Sequence, residues 1–225
     1  MFEDYELEMV NGHPAIELEG GLWVLDTGAP ISFGKANELG ICGNVFRPKT
    51  NYLGLNAKQL SNALQSDVRG LIGGDILNCF DSRWDIMERR VRLSVDELES
   101  APDETEIKLL MSAPVVQVKI GERMKSCFFD TCAAISYVAD PLEDWGKHHE
   151  MFDDFYPGFG SFTTEVFKDQ IKIGAEIFQA RIGVLPELLA ASLKMVGCSG
   201  IVGFELFKNS SFVYAPRRHV LGLSE

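Results

Sequence analysis

Long apolar runs are missing from this sequence. No window approaches about 18 uninterrupted apolar residues, so no membrane-spanning helix is expected. The start, Met1-Phe2-Glu3-Asp4, has no basic region ahead of an apolar stretch and is not expected to be a secretory signal. Cysteine is scarce and poorly spaced for cross-linking. The five are Cys42, Cys79, Cys127, Cys132 and Cys198, without any Cys-x-x-Cys, which argues against a disulfide framework or a zinc site. A reducing, cytoplasmic setting is the expectation. Positive charge is also short: 21 Lys and Arg stand against 33 Asp and Glu, a net charge of −12. That deficit argues against nucleic acid and anionic membrane as partners. The histidine pair His148-His149 has no third ligand suitably spaced and reads as an exposed loop, so no metal is expected.

What is present is enough to fold. Hydrophobic residues make up 46% of 225, with mean hydropathy near zero, so the chain can build one large domain or two small ones.

The chain also repeats itself. "GLWVLDTGAPISF", Gly21 to Phe33, recurs as "KSCFFDTCAAISYV", Lys125 to Val138. Asp26-Thr27 meets Asp130-Thr131, and Ala29, Ile31 and Ser32 meet Ala133, Ile135 and Ser136. Cys132 stands where the first copy has Gly28. A second pair follows in the same order. "GLIGGDILNCFDSRWDIMERRVRLS", Gly70 to Ser94, aligns without a gap on "GIVGFELFKNSSFVYAPRRHVLGLS", Gly200 to Ser224. Residues 1–97 and 106–225 therefore read as two copies of one unit, joined by the acidic, aperiodic "DELESAPDETE". The second copy carries about 26 extra residues between its two elements, within the stretch from Leu142 to Gly174. Its latter part alternates as a hairpin does.

The remaining pattern is mostly strand. "YELEMV" and "PAIELE" flank Asn11-Gly12, a hairpin turn signal. "PVVQVKI" turns at Gly121-Glu122. A short helix is expected over 186–195, with Pro186 at its first turn and Gly197 beyond its end, and a weaker one over 56–65. Trp84 and Tyr214 read as core. His13 and His219 read as surface or strand-end residues. Asp75 and Glu205, just after the glycines of the second element, read as groups that bond backbone.

Each repeated turn is an apolar strand ending abruptly on a carboxylate. Taken alone, Asp26 is a turn aspartate that satisfies local N–H groups. The duplication points further. If the halves pack about a pseudo-twofold axis, Asp26 and Asp130 face each other while Thr27 and Thr131 brace the turns. Two carboxylates so close share a proton, and one serves as base toward a water between them and the other as acid toward a carbonyl. Cys132 reads as a buried, inert thiol, since no histidine is placed beside it by the sequence.

On these residues the chain resembles the aspartic proteases, the pepsin-like and retropepsin-like group. Asp26-Thr27-Gly28-Ala29 is similar to the family's catalytic motif, and "GLIGGDIL" and "GIVGFELF" to its hydrophobic-hydrophobic-Gly element. The resemblance implies an all-β, acid-protease-like double-lobed β-barrel with pseudo-twofold internal duplication, complete as a monomer. It implies an endopeptidase acting on a peptide or protein substrate through Asp26 and Asp130, with Gly28, Ala29, Cys132 and Ala133 lining the site and no cofactor. Departures from the family pattern define the alternative. Cys132 replaces the motif glycine, and its side chain would narrow the cleft or strain the turn, leaving a peptide-binding protein of weak or absent activity. The first half looks too short for a flap, so a one-sided flap is expected from the second half, at Tyr156, Gly158, Phe159 and Gly160. Ala29 and Ala133 cannot donate the hydrogen bond that many members supply here, which implies a pH optimum nearer neutral.

Overall fold

The computed structural model describes residues 1–99, 103–140, 150–156 and 159–224. It is mostly β-strand. The described residues build a 13-stranded sheet, a five-stranded sheet and two small two-stranded ones.

Six contiguous antiparallel strands of the large sheet join the two ends of the chain. Their order is Phe2–Glu6, Arg90–Ser94, Asp81–Asp85, Ser211–Ala215, Val220–Ser224 and Asp103–Leu110. Across the centre Ser82 lies opposite Tyr214 and Trp84 opposite Phe212. Burial there runs through consecutive residues instead of alternating, because this stretch is covered on both faces. Trp84 stacks on Phe212 at 5.3 Å, and Phe129 packs edge-on against both Phe212 and Phe207. Trp84 and Tyr214 are thus core, as their pattern predicts.

Two strands carry the aspartates. Gly21–Leu25 ends at Asp26 and lies parallel to Gly70–Ile72 in the five-stranded sheet. Arg123–Asp130 lies parallel to Gly200–Gly203 in the large one. The glycine strand packs directly behind each turn. Asp26 N–H donates to Ile72 O (2.9 Å), Gly74 N–H to Ala29 O (2.7 Å) and Phe204 N–H to Ala133 O (2.9 Å). A Cβ on Gly203 would stand 2.2 Å from Ile135 O, so nothing larger than glycine fits that approach.

Local signals are obeyed closely. Ala57–Leu64 is helical, with Asn56 and Gln59 forming a capping box and Gln65 closing the end in the left-handed region. Glu187–Met195 follows Pro186, and Gly197 takes φ +78°. Asn11 and Gly12 both have positive φ in the hairpin turn. Asp75 accepts from Ser32 N–H (2.8 Å) and Glu205 from Arg181 N–H (3.2 Å), so both bond backbone.

Two expectations change. The stretch expected as a linker is already strand from Asp103, because residues 103–106 pair with the closing strand Val220–Ser224. The expected strand Tyr5–Val10 divides at Leu7. Phe2–Glu6 pairs with Arg90–Ser94, and Glu8–Val10 pairs with His13–Leu18 in the other sheet. Leu7, fully buried, donates its N–H to Arg89 O between them (2.8 Å). His148-His149 lies outside the described residues. All five cysteines are free thiols. Among the described residues no helix is long and apolar enough to cross a membrane.

Candidate active site

The two Asp-Thr turns meet, and the threonines hold them. Thr27 N–H donates to Thr131 Oγ1 and Thr131 N–H donates to Thr27 Oγ1, both at 3.1 Å. Each hydroxyl then donates to the opposite strand: Thr27 Oγ1 to Phe129 O and Thr131 Oγ1 to Leu25 O, both at 2.7 Å. Exchanging 27 with 131 leaves this set of bonds unchanged. Both side chains are buried. Thr27→Val keeps the shape but strands Thr131 N–H and Phe129 C=O without partners. We expect it to cost about 2–4 kcal/mol in urea unfolding. Thr27→Ser should recover most of that, and equal stability of all three proteins would contradict the role.

The interlock places the two carboxyls against each other. A Cβ on Gly28 would lie 2.4 Å from Asp130 Cγ, so the Asp130 carboxyl rests on the glycine of the opposite turn. Gly28 does not have positive φ, and its requirement is space. Asp26 Oδ1 accepts from Ala29 N–H (2.8 Å). Asp130 Oδ1 accepts from Cys132 N–H (2.8 Å) and Ala133 N–H (3.1 Å). Burial, then the charge of Asp130, pushes Asp26 well above the usual carboxylate range against the pull of the Ala29 and Gly28 N–H groups. Burial also raises Asp130, opposed by the Cys132 and Ala133 N–H groups and by a hydrogen bond with Asp26. As a pair they keep a proton at a pH where exposed carboxyls have lost theirs.

That shift has a consequence for stability. A carboxyl raised on folding stabilises fully below its unfolded value, near 3.8, and the contribution is lost as pH rises through the folded value. Asp26→Asn removes the loss. Its melting temperature should match wild type near pH 3.5 and exceed it by a widening margin toward pH 8. A constant difference across that range would contradict the assignment.

Cavities open on either side of the pair. One, of about 250 Å³, is bordered by Gly28, Phe33, Leu53, Phe128 and Leu193. The other, of about 340 Å³, is bordered by His13, Cys132, Ala133, Tyr137 and Asp154. Asp26, Asp130, Leu55, Leu71, Tyr156 and Ile201 border both. No protein-family model matches the chain, and a search of curated proteins returns no match.

The structure thus brings together Asp26, Thr27, Gly28, Ala29, Asp130, Thr131, Cys132, Ala133 and Tyr156. Among the expected flap residues, Tyr156 ends the strand Glu150–Tyr156 and borders both cavities. Phe159 closes the turn, its N–H donating to Tyr156 O (3.0 Å), and packs edge-on against Phe162 without lining either cavity. Gly160 opens the next strand at φ +101°. Gly158 lies outside the described residues.

The expectation of one bordering hairpin is corrected. The first half supplies a second one, Asn51–Tyr52 with Leu55–Asn56, turning through Leu53 and Gly54 at positive φ. Tyr52, Leu53 and Leu55 border the 250 Å³ cavity, and Tyr52 is near enough to help Tyr156 rise. Desolvation, then the two aspartates, pushes the Tyr156 phenol up to about 12, so it stays a neutral donor. The Leu53-Gly54 turn was a usable sequence signal, overshadowed by the brevity of its strands.

Cys132 does not strain the turn, and its side chain borders the second cavity. Its φ is ordinary, and the side chain leans into the apolar cluster of Val10, Ala15, Val24 and Leu71. Its Sγ–H points to Leu25 O (3.6 Å). Burial and both aspartates push the thiol far above the usual thiol range, so it is a poor nucleophile. His13 is a strand-end residue, the first of His13–Leu18, and it also borders the second cavity. The imidazole is half-buried, faces the Cys132 carbonyl and Asp154, and burial lowers its pKa.

Proposed function

We propose that the chain is an aspartic-type endopeptidase of double-lobed, acid-protease-like architecture, with residues 1–97 and 106–225 as two copies of one unit about a pseudo-twofold axis. The observation that carries this reading is the pair of carboxyls, Asp26 buried and Asp130 half-buried, facing each other across the reciprocal threonine bonds where two cavities meet. The central six strands support it as well. Three come from before residue 95 and three from after 102, in mirrored order.

In this mechanism the half-protonated pair holds a water. The ionised carboxylate takes its proton as the oxygen attacks a peptide carbonyl, and the protonated one donates to the carbonyl oxygen. The tetrahedral intermediate then collapses with proton transfer to the leaving nitrogen. No covalent enzyme intermediate forms. Thr27 and Thr131 keep the geometry without touching substrate. The hairpins carrying Tyr52 and Tyr156 cover the peptide from two sides. One chain supplies both aspartates, so a monomer suffices.

The test is hydrolysis of a peptide library by the purified protein between pH 4 and 8, with and without pepstatin. Activity requires the pair to keep one proton, so raised pKa values move its upper limit toward neutral pH. We expect pepstatin-sensitive cleavage with an optimum between about pH 5 and 7. A profile still rising as pH falls to 4 would contradict the proton assignment. Cys132 favours one second reading, a peptide-binding protein, because its side chain borders one cavity beside Asp26. That reading predicts peptide binding without cleavage, and cleavage gained by Cys132→Gly.

A further inference from the structure

The two cavities differ in chemistry where they leave the aspartates. On the Gly28 side the walls are apolar, built from Phe33, Leu53, Leu71, Phe128 and Leu193. On the Cys132 side, Leu55, Leu60 and Leu64 border the cavity together with the polar side chains of His13, Tyr137, Asp153 and Asp154.

Asp154 is half-buried and lies in the strand Glu150–Tyr156. The Tyr137 hydroxyl donates to its Oδ2 and Phe155 N–H to its Oδ1 (2.8 Å). Those bonds orient the carboxylate without cancelling its charge. No described cation forms an ion pair with it. Arg181, in the same part of the sheet, is committed to Glu150 (3.0 Å) and Glu205 (2.7 Å). His13 faces Asp154 but is held toward its neutral form by burial. A carboxylate in a cavity that leucines also border suits a long side chain with an apolar stem and a charged tip. The overall charge of −12 adds a favourable field for such a ligand.

We propose that the Cys132-side cavity binds a lysine or arginine side chain of the peptide substrate opposite Asp154, while the Gly28-side cavity takes an apolar one. The substrate class is therefore a peptide with a basic and an apolar residue on opposite sides of the bond at Asp26 and Asp130. The inference rests on the peptidase reading for the position of that bond, but not for binding.

The experiment separates the two. Peptides carrying Lys, norleucine or Glu at the relevant position are assayed for cleavage, and uncleavable statine versions for binding by fluorescence anisotropy. Wild type should prefer Lys over norleucine by about tenfold and reject Glu more strongly. Asp154→Asn keeps the shape and should bring the Lys-to-norleucine ratio within about twofold. His13→Lys, which places a cation against Asp154, should do the same by occupying the site. Binding that shows the preference without cleavage supports the cation site and overturns the hydrolytic reading. Cleavage with no Lys preference, or with a preference unchanged in both variants, overturns the cation site alone. Neither cleavage nor binding of any peptide overturns both.

Discussion

Asp26→Asn should lower peptide hydrolysis by about a thousandfold or more, and Asp130→Asn should do the same. In the proposed mechanism each carboxyl has a separate task, one accepting the proton of water and the other donating to the carbonyl. An amide can do neither, and loss of one positioned acid or base alone costs about 10²–10⁴-fold. The pair acts as a unit, so the double variant should be little worse than either single one. Misfolding is a poor explanation for such a loss. Asparagine keeps the size and still accepts from Ala29 N–H at position 26 or Cys132 N–H at position 130. Asp26→Asn should also be more stable than wild type at neutral pH, for the proton-linkage reason given above. A protein that is better folded and inactive would separate the chemical role from the structural one. The measurement is kcat/KM on one optimised peptide, beside melting temperatures across pH. Activity within tenfold of wild type in either single variant would sink the dyad.

The second large effect concerns stability far from the cleft. Asp81 is fully buried and accepts from two arginines at once. Arg217 reaches Oδ1 (2.9 Å) and Arg218 reaches Oδ2 (3.0 Å), while Leu98 N–H donates to Oδ2 (3.1 Å). The same arginines donate to Val95 O (2.6 Å) and Leu98 O (2.7 Å). One buried charge thus ties the segment after Ser94 to the turn at Pro216–Arg218. Arg217→Met with Arg218→Met leaves that carboxylate in the interior with no cation. We expect a loss of about 3–5 kcal/mol in urea unfolding at pH 7. Asp81→Leu should cost less, because the arginine side chains keep about a third and a quarter of their surface in water and can be hydrated there. Equal or greater loss for Asp81→Leu would show that the arginines, not the aspartate, are the sensitive side.

Much of this was legible in one dimension, because it depends on short-range rules. Two apolar strands each ending on Asp-Thr, two glycine strands in the same order, the capping box at Asn56 and the Asn11-Gly12 hairpin all follow from neighbours along the chain. The glycines were legible as glycines, but their reasons were not. Gly28 is required because Asp130, about a hundred residues further along the chain, rests on it. Cys132 is tolerated because its side chain leans into the Val24 and Leu71 cluster. His13 and Asp154 carried no local signature of a site. Each becomes a cavity residue only when strands of two different sheets, more than a hundred residues apart, come together. The acidic stretch from Asp103 looked like a linker for the same reason, since its partner strand is the last one in the chain. Turn chemistry, capping and periodicity are set by bonds within a few residues. Cavities, buried charges and shared protons are set by which distant surfaces exclude water together, and that is decided when the chain packs.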